Sequence, residues 1–67
     1  MAADITVDGV DLNDLCLWCS ENITDYDQII SEFGEWMHIG FTLSTPRKQL
    51  LTAVKMGVKT VYNQGIA

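Results

Sequence analysis

The hydrophobic pattern changes its period at Asp11, and this change most limits the folds open to the chain. Before it, "ADITV" alternates polar and apolar residues, which indicates a short β-strand, and Gly9 then marks a turn. After it, apolar residues recur at helical spacing, at Leu12, Leu15, Cys16, Cys19 and Ile23. Because Asp11 is also a favourable N-cap residue, we predict one amphipathic helix over about residues 11 to 24.

The rest of the chain has the composition of β-strands. "DQIISEF" and "EWMHIGFT" are separated by Gly34, which indicates two paired strands. "QLLTAV" and "KTVYNQ" flank "KMGV" and indicate a further hairpin, although a helix after Pro46 is an alternative for the first of these segments. The sequence therefore predicts an α+β fold, with one helix packed on a small antiparallel sheet in the order β-α-β-β-β-β.

The pattern also predicts which side chains are buried. One helix stripe should pack on the sheet, and it consists of Leu12, Cys16, Cys19 and Ile23. In the "EWMHIGFT" strand, alternation places Trp36 and His38 on one face and Met37, Ile39 and Phe41 on the other. We expect much of the buried apolar area to come from Phe33, Trp36, Ile39 and Phe41.

Cys16 and Cys19 have the C-x-x-C spacing of redox and zinc motifs, but their setting argues against both. Redox cysteines lie at a helix N-terminus, whereas these two fall inside the predicted helix on its apolar stripe. A four-ligand zinc site would also need a second Cys/His pair, which the chain lacks. We therefore predict that both cysteines are packing residues in the core.

Length and composition indicate one small domain over residues 1–67. With 48% hydrophobic and 19% charged residues, the chain is too apolar for a disordered tail, and it has no apolar run of the ~18 residues that a membrane span needs. The segment "MAADITV" has neither a basic start nor a long apolar stretch, so we expect no signal peptide and a location in the cytoplasm of a host cell.

The charges are segregated along the chain. All nine acidic residues precede residue 36, and all four basic residues follow residue 46. Phosphate contacts need Lys and Arg, so the acidic half argues against direct binding of nucleic acid. A partner with a basic surface is expected instead.

The outer stripe of the predicted helix concentrates this acidity around Trp18. The stripe has no Lys or Arg, so it is either a solvated acidic face or a recognition surface in which Trp18 is the anchor. The predicted partner-binding residues are Asp8, Asp11, Asp14, Trp18, Glu21, Asp25, Asp27 and Glu32.

A second candidate site centres on the only histidine. A catalytic zinc needs three protein ligands, a water and a nearby carboxylate base. The chain offers His38, the carboxylate of Asp4, and Glu35 as the base, so the residues alone leave a third ligand missing.

Two short motifs resemble the zinc D-alanyl-D-alanine carboxypeptidase family, which includes vancomycin-resistance dipeptidases and phage endolysins. "AADI" is similar to the end of the family motif S-x-H-x-x-G-x-A-x-D, and "EWMH" is similar to its later E-x-x-H motif. "YDQIISEFGEWMHIGF" and "PRKQLLTAVKMGVKTVY" resemble the small phage-type members, so the similarity covers nearly the whole chain. The resemblance implies Asp4 and His38 as zinc ligands and Glu35 as the general base.

The family's first histidine would fall before Met1, so two of the three ligands are left. We therefore expect no zinc hydrolysis. Asp4 and His38 would be a vestigial pair with at most a weak zinc contact, Glu35 would be a vestigial base, and no cofactor is expected.

Three functional hypotheses follow. The first is a non-catalytic acidic inhibitor on a truncated peptidase fold, which mimics DNA and binds a basic nucleic-acid-binding host protein such as a CRISPR effector subunit. Anti-CRISPR proteins are in many cases small, acidic and phage-borne, so that class fits. The second is a zinc peptidase acting on peptidoglycan peptides that another chain completes. The third is a truncated fragment with no function of its own.

Overall fold

A computed structural model describes residues 1–66 of the chain. Its elements are β1 (Ala2–Ile5), α1 (Leu12–Asn22), β2 (Gln28–Glu32), β3 (Trp36–Gly40), β4 (Gln49–Met56) and β5 (Lys59–Gln64). The predicted α+β class and the order β-α-β-β-β-β are confirmed. The alternative of a helix after Pro46 is wrong, because β4 begins at Gln49 and pairs with two other strands.

The five strands form one open sheet in the order β1-β3-β2-β4-β5. Three neighbouring pairs are antiparallel, but β2 and β4 are parallel, with Ile29 opposite Leu50. The sheet is therefore mostly antiparallel, and the prediction needs this one correction. β3 is paired on both of its edges, with β1 and with β2, so β4 pairs with the free edge of β2. The connection between β3 and β4 crosses back along the sheet, so β4 runs in the same direction as β2.

The helix begins as its sequence predicts and ends slightly earlier. The backbone N–H of Asp14 donates to Oδ2 of Asp11 at 3.1 Å, which is an N-cap hydrogen bond. Ile23 has an extended backbone, and its N–H donates to the carbonyl of Cys19 at 2.8 Å. The helical stripe therefore stops at Asn22, and Asp25 lies beyond it.

The helix packs against one face of the sheet, where Cys16 and Cys19 are buried. Their predicted role in the core is confirmed, and desolvation by burial raises the pKa of the Cys16 thiol to about 11. The sheet contributes Ile29, Met37 and Ile39 to the same cluster, and Tyr26 joins it from the segment before β2. Leu12 of the helix and Ile23, its C-cap residue, are partly buried at the margin of the cluster. No helix of the described residues is long and apolar enough to cross a membrane.

The aromatic residues contribute less to the core than their size suggests. Ile39 is buried, as predicted, but Phe33, Trp36 and Phe41 are only half-buried. The largest fully buried side chains are Ile29, Met37 and Cys16. Alternation along β3 explains Trp36, because it directs this side chain away from the helix and against Phe33, with their ring centroids 5.9 Å apart.

We call the side of the sheet opposite the helix the open face. It has a small apolar cluster of Ile30, Leu51 and Ala53, against which Phe33 packs. Beside this cluster the polar side chains of β1, β2 and β3 come together. Within residues 1–66, no helix or strand packs over this face.

Candidate metal centre on the open face

Asp4 and His38 meet across the β1–β3 pair. The register places these residues directly opposite each other, and facing side chains in an antiparallel pair lie ~5 Å apart at Cβ. Nδ1 of His38 is 2.9 Å from Oδ1 of Asp4, so the two side chains share a hydrogen bond. The proximity predicted for these residues, which are 34 positions apart, is therefore confirmed.

Glu32 joins this pair from β2. In the β2–β3 hairpin Glu32 pairs with Trp36 and Ile30 pairs with His38, so Glu32 is the diagonal neighbour of His38 on the same face. Its Oε1 lies 4.0 Å from Nδ1 of His38 and accepts a hydrogen bond from Nε1 of Trp36 at 3.0 Å. One ligand atom from each of Asp4, Glu32 and His38 lies within 4.8 Å of the others.

Glu32 is the residue of this site that the sequence pattern did not predict. We predicted it on the acidic partner surface, but the structure places it on the open face, away from α1. The signal that could have found it is the parity of the hairpin. A turn over residues 33–35 sets Glu32 opposite Trp36, and alternation then directs both toward the face of His38.

The three side chains of the cluster differ in their exposure to solvent. The Glu32 side chain is 17% exposed, that of His38 is 29% exposed, and that of Asp4 is 59% exposed. A cleft of about 180 Å³ adjoins the outer part and is lined by Ala2, Ala3, Asp4 and His38. The site therefore has a sheltered side at Glu32 and an accessible side at Asp4.

The donor set fits a zinc ion in chemistry, and its ligand atoms, all within 4.8 Å of one another, are close to the spacing that zinc needs. Zinc takes imidazole nitrogen and carboxylate oxygen ligands, and catalytic sites have three protein ligands and one open position. Ligand atoms bound at ~2.0–2.1 Å in a tetrahedral arrangement are roughly 3.3 Å apart. The separations from His38 Nδ1, 2.9 Å to Asp4 and 4.0 Å to Glu32, lie on either side of that value.

Glu35, the base that the resemblance implies, lies outside the three-residue cluster. It is exposed in the turn between β2 and β3, where its backbone N–H donates to the carbonyl of Glu32 at 3.0 Å. The turn needs a left-handed backbone at Phe33 and Gly34, whose φ angles are 58° and 68°.

The predicted acidic surface is only partly assembled. Trp18 is 60% exposed on α1. The acidic residues that are exposed on α1 or near it are Asp8, Asp11, Asp14, Glu21 and Asp25. Asp27, by contrast, forms a bidentate ion pair with Arg47, with 2.7 Å between Oδ2 and Nη2. The Arg47 hydrogen bonds lower the pKa of Asp27 to about 2, so this carboxylate is committed within the chain.

Comparisons with protein-family models, with curated proteins and with solved structures found no match to this chain. The carboxypeptidase resemblance therefore stays a prediction, and the two candidate sites depend on their own geometry.

Proposed function

We propose that the open face is a divalent-metal centre, with Asp4 and His38 as ligands of a zinc ion, and that it serves hydrolysis of peptide bonds. The observation that carries this proposal is the 2.9 Å approach of Nδ1 of His38 to Oδ1 of Asp4. We prefer the zinc peptidase hypothesis to the inhibitor hypothesis, because it depends on a specific contact between two side chains and not on overall charge.

Two residues of the chain would be the ligands in this centre. Asp4 and His38 converge from adjacent strands, so the sheet holds the two ligand atoms at short range without a mobile loop. Asp4 and His38 would hold the zinc ion, which would supply a water of lowered pKa and a Lewis acid for the substrate carbonyl. The adjoining cleft of about 180 Å³ would admit a peptide carbonyl beside Asp4. Peptidoglycan peptides ending in D-alanine are the substrate class that the resemblance implies. Another chain would supply the general base that takes the proton of the attacking water, together with further substrate-binding residues.

Metal content and zinc titration test the centre directly. We expect the protein to bind one zinc ion per chain, measured by elemental analysis and calorimetry, and Asp4→Asn and His38→Gln each to lose it. Glu21→Gln removes one negative charge from the exposed side of α1 and should bind zinc like the unchanged protein. If all four proteins bind the same amount of zinc, Asp4 and His38 are not ligands and the proposal is wrong.

Hydrolysis is then tested by release of D-alanine from a zinc-loaded mixture with a D-alanyl-D-alanine peptide.

We propose a second function for the outer side of α1, the docking of a basic protein surface. The observation that favours it is the exposure of Trp18, which lies one turn from Asp14 and from Glu21 on a helix without Lys or Arg. A large exposed aromatic residue with an acidic residue one turn before it and another one turn after it suits an interface in which the indole is the anchor and the acids select a basic partner. The partner we propose is a cytoplasmic nucleic-acid-binding protein, whose phosphate-binding residues the carboxylates would occupy as a DNA mimic does. A CRISPR effector subunit is one such protein.

Competition with DNA tests this second function. A basic nucleic-acid-binding protein that the chain captures should be displaced by duplex DNA, and its binding should weaken steeply as salt rises. Trp18→Ala should speed dissociation, whereas Tyr62→Ala, at an exposed aromatic residue of β5, should not. Capture that survives both Trp18→Ala and the double change Glu21→Lys with Asp25→Lys would show that α1 is only a solvated surface.

A further inference from the structure

We propose that Glu32 is the third protein ligand of the metal centre on the open face. The inference depends on the proposed function, because Glu32 would bind the same ion as Asp4 and His38. The resemblance supplies no residue for the third ligand, and the proposal gives this role to a side chain of β2.

The distances support a common ion. Nδ1 of His38 is 2.9 Å from a carboxylate oxygen of Asp4 and 4.0 Å from one of Glu32, and the ligand atoms of all three residues lie within 4.8 Å of one another. To reach the roughly 3.3 Å of tetrahedral zinc ligands, the first pair opens by about 0.4 Å and the second closes by about 0.7 Å. Both shifts are smaller than about 1 Å.

The surroundings of Glu32 favour a cation. Its side chain is only 17% exposed, and a sheltered carboxylate whose charge is not compensated is costly. In the part of the chain that the structure describes, His38 is the only cationic or titratable base within 4.0 Å of it, and the four Lys and Arg residues form no ion pair with it. A divalent ion between Glu32 and Asp4 would neutralise both charges.

Trp36 holds Glu32 in position for this role. The indole N–H donates to Oε1 of Glu32 at 3.0 Å, and the Trp36 ring is itself held by its edge contact with Phe33. Hydrogen bonds of this kind to ligating groups fix the direction of the ligand and strengthen metal binding. The hairpin therefore provides both the ligand and the group that orients it.

The test measures zinc affinity by competition with a chelating dye, and coordination by the visible absorption of the cobalt-loaded protein. Glu32→Gln keeps the shape and the acceptor for Trp36 but removes the anionic ligand. We expect it to weaken zinc binding by about a hundredfold or more and to change the cobalt spectrum. Glu35→Gln, the matched change in the same hairpin outside the cluster, should alter zinc affinity less than twofold.

Each outcome separates the two proposals. If Asp4→Asn and His38→Gln lose zinc while Glu32→Gln binds it like the unchanged protein, Glu32 is not a ligand and the metal centre stands without it. If the unchanged protein binds no zinc, both proposals are overturned. Should Glu32→Gln fail to fold by circular dichroism, Glu32→Asp replaces it, because the carboxylate is then withdrawn by one methylene. Unchanged zinc affinity and an unchanged cobalt spectrum in Glu32→Asp would count against ligation.

Discussion

Truncation of Ile29 to Val should destabilise the domain measurably without touching the metal centre. Ile29 is fully buried, faces α1, and pairs with Ile39 on one side and Leu50 on the other. Removing one buried methylene in this way costs about 0.5–1.5 kcal/mol. A chain of 67 residues is stable by about 3–10 kcal/mol, at ~0.05–0.15 kcal/mol per residue, so the loss is a large fraction of the total. At about 2.1 cal/mol/K per residue, 1 kcal/mol lowers Tm by about 7 °C.

Urea unfolding followed by tryptophan fluorescence measures this loss, with circular dichroism as a second probe. Ile5→Val makes the same chemical change at a side chain that is 37% exposed on β1, and it should alter the free energy of unfolding by less than about 0.5 kcal/mol. Zinc affinity should be the same in Ile29→Val and the unchanged protein, because Ile29 lies on the helix side of the sheet. Equal shifts of the unfolding midpoint in the two variants would refute the assignment of Ile29 to the core.

Three further predictions concern other parts of the molecule. Arg47 lowers the pKa of Asp27 to about 2 from an unfolded value of ~3.9, so the stabilisation is present above about pH 4 and is lost as pH falls toward 2. Asp27→Asn should therefore flatten the fall of Tm over that range, and an unchanged pH profile would contradict the ion pair. Burial raises the pKa of Cys16 to about 11, so a thiol reagent at pH 8 should label it only as fast as the protein opens; labelling at the rate of a free thiol would show an accessible site. Trp36→Phe removes the N–H that Glu32 accepts and should lower zinc affinity roughly tenfold in the dye competition, whereas unchanged affinity would show that Glu32 needs no such donor.

Local chemistry made several features readable from the sequence. Asp11 caps α1 because a short acceptor side chain there reaches the N–H of Asp14, and this depends only on residues three apart. Cys16 and Cys19 are buried because helical spacing places them on one stripe. The β2–β3 hairpin follows from two strand-like segments about Gly34, and alternation correctly separated Met37 from His38. Each of these features requires only the period of an element and the identity of close neighbours.

The sequence by itself therefore determined the α+β class, the order of the elements and the two faces of β3. It did not determine which strand edges meet, because a periodic pattern contains parity but no partner. Only the tertiary structure set β4 parallel to β2, joined Asp27 to Arg47, and brought Glu32 beside the pair of Asp4 and His38. The physical reason is that pairing across a sheet depends on which edges remain free after the local hairpins have formed, and that competition is decided by the whole chain at once.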